Sequence, residues 1–249
     1  LMPIYKGMPG ASMLAEVLLQ KYEYHVPFYR QVKQLEHLGV KLSRKTLGGW
    51  FKPVCELLEP LYLELKKVVL SSDYIQVDET TLPVIDHDRH KAAKEYIWMV
   101  RAAMPRLLFF HYDDGSRAQK VAVELLKPFK GYLQCDGYSA YDIFEEKEDV
   151  HLCACLAHIR RHLESGKEEN REYAMQGLKF IQDLYNVEHM ADERQLSYEE
   201  RAALRQRLAG PLLDAFELWL QNTYPKVLKR SLMGKAIAYT YPLMPRMRH

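Results

Sequence analysis

The chain has 249 residues, of which 48% are hydrophobic and 27% are charged, with a formal net charge of +2 at pH 7. This predicts a soluble globular protein with a substantial core, in one large domain or two smaller ones. With four cysteines and no apolar run of membrane-span length, it is neither a small disulfide scaffold nor a membrane protein. The N-terminus lacks the pattern of a secretory signal, so we expect a cytoplasmic protein.

The first 70 residues have the apolar period of helices. Leu14, Val17 and Leu18 mark one helix, and Pro27 opens a second, which Gly39 ends. Ser43 is a predicted N-cap for a third, short helix, and a longer helix is predicted from Pro53 to Val69.

Two interpretations of this region stay open. Helix, glycine turn and short basic helix resemble a helix-turn-helix, in which Arg44 and Lys45 would contact DNA. A small helical bundle with a solvated basic edge explains the same residues, and Gly48 and Gly49 lower the helix propensity of the predicted recognition helix.

A strand period follows. Strands are predicted at 73–84, 95–104 and 106–112, with breaks at 86–90 and 104–105. Ser116 is the predicted cap of a helix with Val121 and Leu125 on its buried face, and strands follow in GYLQC and VHLCACLA. The crossover helix predicts that the fourth strand pairs in parallel with an earlier one.

The predicted fold class is therefore α/β, with a ribonuclease-H-like mixed sheet, an N-terminal helical region and a helical insertion. The predicted boundaries are 1–70 for the helical region, 71–164 for the catalytic core and 165–230 for the insertion. Residues 231–249 would begin a final core helix and end in an aberrant tail, YPLMPRMRH, which we expect to be disordered or misplaced because it lacks periodicity.

Two aspartates are the candidate catalytic residues. In a ribonuclease-H-like sheet the first and fourth strands are central neighbours, which would bring Asp78 close to Asp136. Two carboxylates at one site repel each other and favour a divalent cation such as Mg²⁺. The alternatives are that Asp136 only forms an Asp-Gly turn with Gly137 and that Asp78 points outward at a sheet edge.

Several ordered motifs resemble the insertion sequence 66 family of bacterial transposases: VDETTLPV, LQCDGYSAYD, CLAHIRRHLE, LLDAFELWL and KAIAYT. The resemblance implies a DDE-type enzyme that uses Mg²⁺ or Mn²⁺, with Asp78 and Asp136 as its first two acids and metal ligands. The family's third acid, in an N-N-x-A-E-R-type motif, is missing after Thr240, and Glu145, Glu146 and Glu217 fit solvated helix faces better. A truncated transposase of reduced or no activity is the expectation.

The resemblance also implies the partners. They are the terminal inverted repeats of a transposon and target DNA, which a homo-oligomer of this chain would bind. No membrane partner is expected, and the protein would associate with the nucleoid when it is bound to DNA. The expected reaction is metal-dependent strand cleavage and strand transfer. The alternative is a non-catalytic DNA-binding remnant, or an inhibitor of an intact transposase.

A second constellation follows the fifth predicted strand. Cys153, Cys155 and His158 lack the paired knuckles of a zinc site, and alternation favours the cysteines as small core residues. In the resembling family Cys155 and His158 match a recurrent motif, which implies support of the active site without metal binding. Arg160 and Arg161 are candidates for phosphate contact or for a solvated helix start.

Overall fold

The structure is a computed structural model that describes residues 3–4, 7–86, 91–104 and 106–249. The chain divides into two compact units, one up to Lys67 and one from Val68 to His249. None of the helices in these described ranges is both long enough and apolar enough to span a membrane. Of the predicted breaks at 86–90 and 104–105, residues 87–90 and 105 lie outside the described residues, whereas Asp86 is the last residue of a strand.

The first unit is helical, as predicted. Helices α1 (Ala11–Tyr22) and α2 (Phe28–His37) are followed by α3 (Arg44–Leu70), which continues into the second unit. Apolar residues of α1 and α3 form one buried cluster because their spacing places them on one face of each helix. Its buried members include Leu14, Val17, Leu47, Trp50 and Val54.

Local signals set the helix ends in this unit. Gly39, at φ 83°, ends α2 in a left-handed conformation, and the N–H of Val40 donates to the carbonyl of Leu35 at 2.8 Å. Ser43 Oγ accepts a hydrogen bond from the N–H of Thr46 at 3.0 Å, which confirms it as the cap of α3. The prediction of two separate helices after Ser43 was wrong: α3 is one helix that contains Pro53 and Pro60.

The second unit is built on a five-stranded sheet in the order β3-β2-β1-β4-β5. Its strands are β1 (Tyr74–Asp86), β2 (Lys91–Ala102), β3 (Leu107–His111), β4 (Gly131–Cys135) and β5 (Val150–Ala154). The first three pair antiparallel, whereas β4 lies parallel to both β1 and β5. This is the predicted ribonuclease-H-like mixed sheet, and β1 is its central strand.

A short helix, α4 (Gln119–Leu125), connects β3 to β4 and buries Val121 and Leu125 as predicted. The predicted cap was wrong, because the N-cap residue is Ala118 and Ser116 Oγ instead accepts the N–H of Ala118 at 3.2 Å. A 3-10 helix, Ser139–Glu146, connects β4 to β5.

Helices fill the sequence after β5. They are α5 (Leu156–Ser165), α6 (Arg171–Glu193), α7 (Tyr198–Leu204), α8 (Gly210–Thr223) and α9 (Leu232–Thr240), with a π-helical turn, Arg205–Ala209, between α7 and α8. Helices α5, α6, α8 and α9 share one core, to which Ile159, Ile181, Phe216 and Ile237 contribute fully or almost fully buried side chains. Leu204 of α7 packs in a smaller cluster with residues of α6. The division of this unit at residue 165 into core and insertion stays a prediction.

The last residues are ordered and packed, so the prediction of a disordered tail was wrong. Two 3-10 turns, Tyr241–Leu243 and Pro245–Met247, follow α9. Met244 is 1% exposed within the helical core, and the buried Arg246 pairs with Asp142 at 2.6 Å and with Glu145 at 2.7 Å. The buried residues Leu243 and Arg246 lie on these short 3-10 turns and the buried Met244 lies between them, so their spacing differs from the α-helical period.

One face of the sheet borders a cavity of about 870 Å³ in the second unit. Tyr74, Tyr132 and Gln134 line it from the strands, and the side chain of Cys153 also faces it. The prediction of Cys153 as a core residue was wrong, because β5 buries Val150, Leu152 and Ala154 on the opposite face.

Candidate active site

The two predicted acids lie at the same end of neighbouring strands. The parallel pairing of β1 and β4 ends at Gln76 and Gln134, whose side chains hydrogen-bond at 2.6 Å, and Asp78 and Asp136 each lie two residues further on. Because side chains alternate along a strand, Asp78 shares the face of Gln76. β1 is the central strand, but at Asp78 it pairs only with Met99 of β2, so the alternative of an outward-pointing aspartate stays open.

Asp78 keeps much of its carboxylate accessible. Its side chain is 47% exposed, and Oδ2 lies 3.9 Å from Nε2 of His158. Its other oxygen, Oδ1, accepts the N–H of Glu79 at 3.0 Å. One oxygen is therefore fixed by the backbone, and the other is turned toward the start of α5.

Asp136 both forms a turn and presents a carboxylate. Oδ1 accepts the N–H of Tyr138 at 2.9 Å, which is the Asx-type contact expected of an Asp-Gly turn. Oδ2 lies 3.7 Å from a terminal nitrogen of Arg117, and the side chain is 18% exposed. One oxygen of Asp136 therefore forms the predicted turn, and the other is available for the predicted metal site.

Gly137 is held by a residue far along the chain. Its N–H donates to the hydroxyl of Tyr239 on α9 at 2.9 Å, and the Tyr239 ring stacks on His162 of α5 with centroids 3.9 Å apart. A Cβ at position 137 would meet the Tyr239 ring at 2.7 Å. The turn after β4 is thus attached to two helices that follow the sheet in sequence.

Cys155 and His158 lie at the start of α5, where Cys155 is the N-cap residue. The Cys155 thiol beside the ring raises the pKa of His158 more than burial lowers it, and Asp78 and Asp136 add to the rise. Burial raises the pKa of Cys155, but the His158 ring and the N–H groups at the helix start outweigh it, so that this pKa is lowered. Nδ1 of His158 is buried with no hydrogen-bond partner among the described residues.

A buried ionic network beside Asp136 was not found from the sequence. The side chain of Glu79 is fully buried and accepts from the hydroxyl of Tyr141 at 2.7 Å and from Nη2 of Arg117 at 3.3 Å. Burial raises the pKa of Glu79, while Tyr141 and Arg117 lower it by a smaller amount. The D-E-T motif indicates a role for its aspartate but not for Glu79. Arg117 lies in a loop, where no local sequence pattern predicts its pairing with Glu79.

The carboxylates suit a hard divalent cation. Mg²⁺ prefers oxygen ligands, keeps several of its waters and is often bound by only one or two protein carboxylates. Asp78 and Asp136 supply such oxygens at one end of the sheet. The described residues contain no cluster of three or more side chains arranged as metal ligands, so the structure does not add a third acid.

The glutamates considered as a third acid have other contacts or are exposed. Glu145 pairs with Arg246, and Glu217 pairs with Arg248 at 2.8 Å. Glu146 is exposed in the 3-10 helix that follows β4.

The candidate DNA-contacting residues occur in both units. Arg44 and Lys45 are exposed in the first turn of α3, whereas Leu47 and Trp50 further along the helix are buried. On α5, Arg160 pairs with Glu164 at 3.0 Å, whereas Arg161 is exposed and forms no ion pair with another described residue. The structure therefore separates two arginines that are adjacent in sequence.

A family model described as "Transposase IS66 family" matches residues 6–248. The chain belongs to this family. Its similar proteins include "Uncharacterized protein y4jD" and "Uncharacterized protein y4qI" of Sinorhizobium fredii (strain NBRC 101917 / NGR234), at 28% and 29% identity over 94% and 95% of the chain. These matches cover 48% and 46% of the two relatives, so the IS66-family chain spans about half their length.

Proposed function

We propose that this IS66-family chain is part of a DDE-type transposase, which cleaves and joins DNA strands at transposon ends. The observation that carries the proposal is the placement of Asp78 and Asp136 two residues beyond the last parallel pair of β1 and β4, in a chain of this family. Bound Mg²⁺ or Mn²⁺ would supply activation of the attacking hydroxyl and stabilisation of the leaving oxygen.

The protein's own residues divide the remaining work. Asp78 and Asp136 would hold the cation, and the N–H of Tyr138 orients the Asp136 carboxylate. Arg161 would bind a backbone phosphate beside them, because its guanidinium has no competing carboxylate among the described residues. Arg44 and Lys45 would bind phosphates at the start of α3, where positive side chains are otherwise disfavoured by the helix dipole.

Metal binding tests the two acids directly. We expect Asp78→Ala and Asp136→Asn each to abolish Mn²⁺ and Mg²⁺ binding in isothermal titration. Asp149→Asn is the matched control, because Asp149 is exposed and precedes β5 at the opposite end of the sheet. Unchanged metal affinity in Asp78→Ala would refute the assignment.

A second candidate function is a non-catalytic DNA-binding remnant or an inhibitor of an intact transposase, in which the exposed Arg44 and Lys45 would bind DNA without cleavage. We expect the chain to shift terminal-inverted-repeat DNA in a gel, and the double change of Arg44 and Lys45 to Gln to weaken that shift, with Lys52→Gln as control. Binding without Mn²⁺-dependent cleavage would select the remnant; cleavage and joining would select the enzyme.

A further inference from the structure

The geometry around Arg117 points to a role for Glu79, which rests on the proposed metal site. We propose that Glu79 is a positioning residue that holds the Arg117 guanidinium and keeps it from neutralising Asp136, so that the Asp136 carboxylate stays available to a divalent cation. Glu79 is not one of the two acids proposed as metal ligands, and Arg117 is not one of the proposed DNA-contacting residues.

The distances show how the guanidinium is shared. The same Nη2 of Arg117 lies 3.3 Å from Glu79 Oε2 and 3.7 Å from Asp136 Oδ2. Only the shorter contact is a hydrogen bond, and its acceptor is Glu79. The interaction of Arg117 with Asp136 is electrostatic, without a hydrogen bond. If Glu79 lost its charge, Asp136 would become the nearest carboxylate to this cation.

Aromatic rings fix the guanidinium in this position. It lies over the ring of Tyr138 at 3.9 Å and near that of Tyr96 at 5.5 Å, and the Tyr138 hydroxyl donates to the Arg117 carbonyl at 3.0 Å. Glu79 itself is fixed by the Tyr141 hydroxyl. The guanidinium therefore stays close to Asp136. The negative charge of Glu79 then determines how strongly Arg117 competes with a metal ion for the Asp136 carboxylate.

The position of Glu79 in the chain makes the arrangement specific. Asp78 and Glu79 are adjacent on β1, so one residue faces the proposed cation while the next, on the other side of the strand, is fully buried against Arg117. A buried carboxylate is costly unless it is paired. Pairing with Arg117 and Tyr141 offsets that cost, and it sets the local charge at Asp136.

Mn²⁺ affinity of the purified full chain, measured by electron paramagnetic resonance, tests the inference without an activity assay. We expect Glu79→Gln to weaken Mn²⁺ binding about fivefold, because the unpaired guanidinium then competes for Asp136. Adding Arg117→Gln should restore the affinity to the wild-type value or above, because the competing charge is gone. Because removal of both partners of a buried pair can also restore stability, urea unfolding of each variant is measured to separate a change in stability from a change in Mn²⁺ affinity.

Tyr141→Phe is the matched control, since it removes a hydrogen bond to Glu79 without changing any charge at neutral pH. We expect its Mn²⁺ affinity to stay within about twofold of wild type. If Glu79→Gln does not fold, Arg117→Gln alone carries the test: it should tighten Mn²⁺ binding, and weaker binding would overturn the inference.

The outcomes separate this inference from the proposed function. Equal Mn²⁺ affinity in wild type, Glu79→Gln and the double variant, with loss in Asp136→Asn, would overturn the role of Glu79 and leave the metal site standing. Weakening in Glu79→Gln that the second change does not reverse would also overturn it. No Mn²⁺ binding by the wild-type chain would overturn both proposals.

Discussion

At the scale of single residues, Asp136 and Gly137 form a turn, and Asp136 is also one of the two acids of the proposed metal site. Asp136 uses one oxygen for the turn and turns the other toward Arg117. Gly137 is required by a close approach, because the Tyr239 ring occupies the space that a side chain would need. Asp-Gly is common in turns, but here the glycine also lets α9 reach the end of β4.

Gly137→Ala should therefore lower the free energy of unfolding by about 1–3 kcal/mol, because the new Cβ would meet the Tyr239 ring at 2.7 Å. Gly210→Ala is the control, since nothing lies within 4 Å of a Cβ there. Urea unfolding measures both. Equal stability of Gly137→Ala and wild type would contradict the close approach, whereas a smaller cost in a Tyr239→Leu background would support it.

The two adjacent arginines of α5 give a second prediction at this scale. Arg161→Gln should weaken DNA binding and reduce the slope of log affinity against log salt by about one, as expected for the loss of one phosphate contact. Arg160→Gln should change the slope little, because Arg160 is paired with Glu164. Fluorescence anisotropy across a salt series measures the slopes, and the reverse order would reject the assignment of Arg161.

At the scale of elements, the charged sequence after β5 forms capped helices that are joined by ion pairs. Asn170 caps α6, and Ser197 and Glu200 form a reciprocal capping box at α7. Glu188 of α6 accepts from Arg201 of α7 at 3.0 Å and from Arg205 of the π-helical turn at 2.7 Å. These pairs connect successive helices whose apolar stripes already face one core.

Glu188 predicts a pH dependence of this region. The hydrogen bond from Arg205 lowers the pKa of Glu188 below 4.5, with smaller contributions from Arg201, against the effect of burial. A lowered folded-state pKa adds stability above pH 4.5 that is lost as the pH falls through the folded-state value. Glu188→Gln should be less stable by about 1 kcal/mol at pH 7, and this difference should shrink below pH 4.5.

Urea unfolding at several pH values tests the prediction. Glu168→Gln is the control, because Glu168 is exposed and forms no ion pair with another described residue. A stability difference between wild type and Glu188→Gln that stays constant from neutral to acid pH would mean that the carboxylate's charge is not responsible.

At the scale of the whole chain, the last residues complete the core of the second unit. Leu243 and Met244 are buried with residues of α5, α6 and α8, and Arg246 pairs with two carboxylates of the 3-10 helix after β4. His249 contacts the carbonyl of Leu152 in β5 at 2.9 Å. The tail therefore connects the helices back to the sheet.

Met244→Ala should lower the free energy of unfolding by about 2–5 kcal/mol, because a buried side chain is replaced by a cavity. Met175→Ala makes the same chemical change on α6, where the side chain is 50% exposed, and should cost less than about 0.5 kcal/mol. Thermal or urea unfolding compares them. Similar values for the two variants would show that the tail is not packed in solution.

Much of the fold was predictable because it follows from local patterns. The alternation in β1 and β4, the helical period of α1 and α2, and the signals at Gly39 and Ser43 act over a few residues. The ordered sequence motifs also identify the family, because they do not depend on any contact in space. These features depend on side chains that are near neighbours in sequence.

The errors occurred where distant contacts outweigh local preference. Cys153 faces a cavity that helices after β5 help to line. The continuation of α3 through Pro53 and Pro60 is not explained in this way, because Leu57, Leu58 and Leu61 of this part of the helix are exposed. The tail has no periodicity, yet it is held by Asp142 and Glu145, residues that a sequence pattern cannot connect to it.

The amino-acid pattern was sufficient for the sheet class and the family, because period, turn chemistry and motif order are local properties of the sequence. The roles of Asp78 and Asp136 stay predictions. Folding was needed to bring Glu79 to Arg117, Gly137 to Tyr239 and Arg246 to Glu145. Charge pairing and close packing act through space, and residues 38 or about 100 positions apart become neighbours only when the backbone returns on itself.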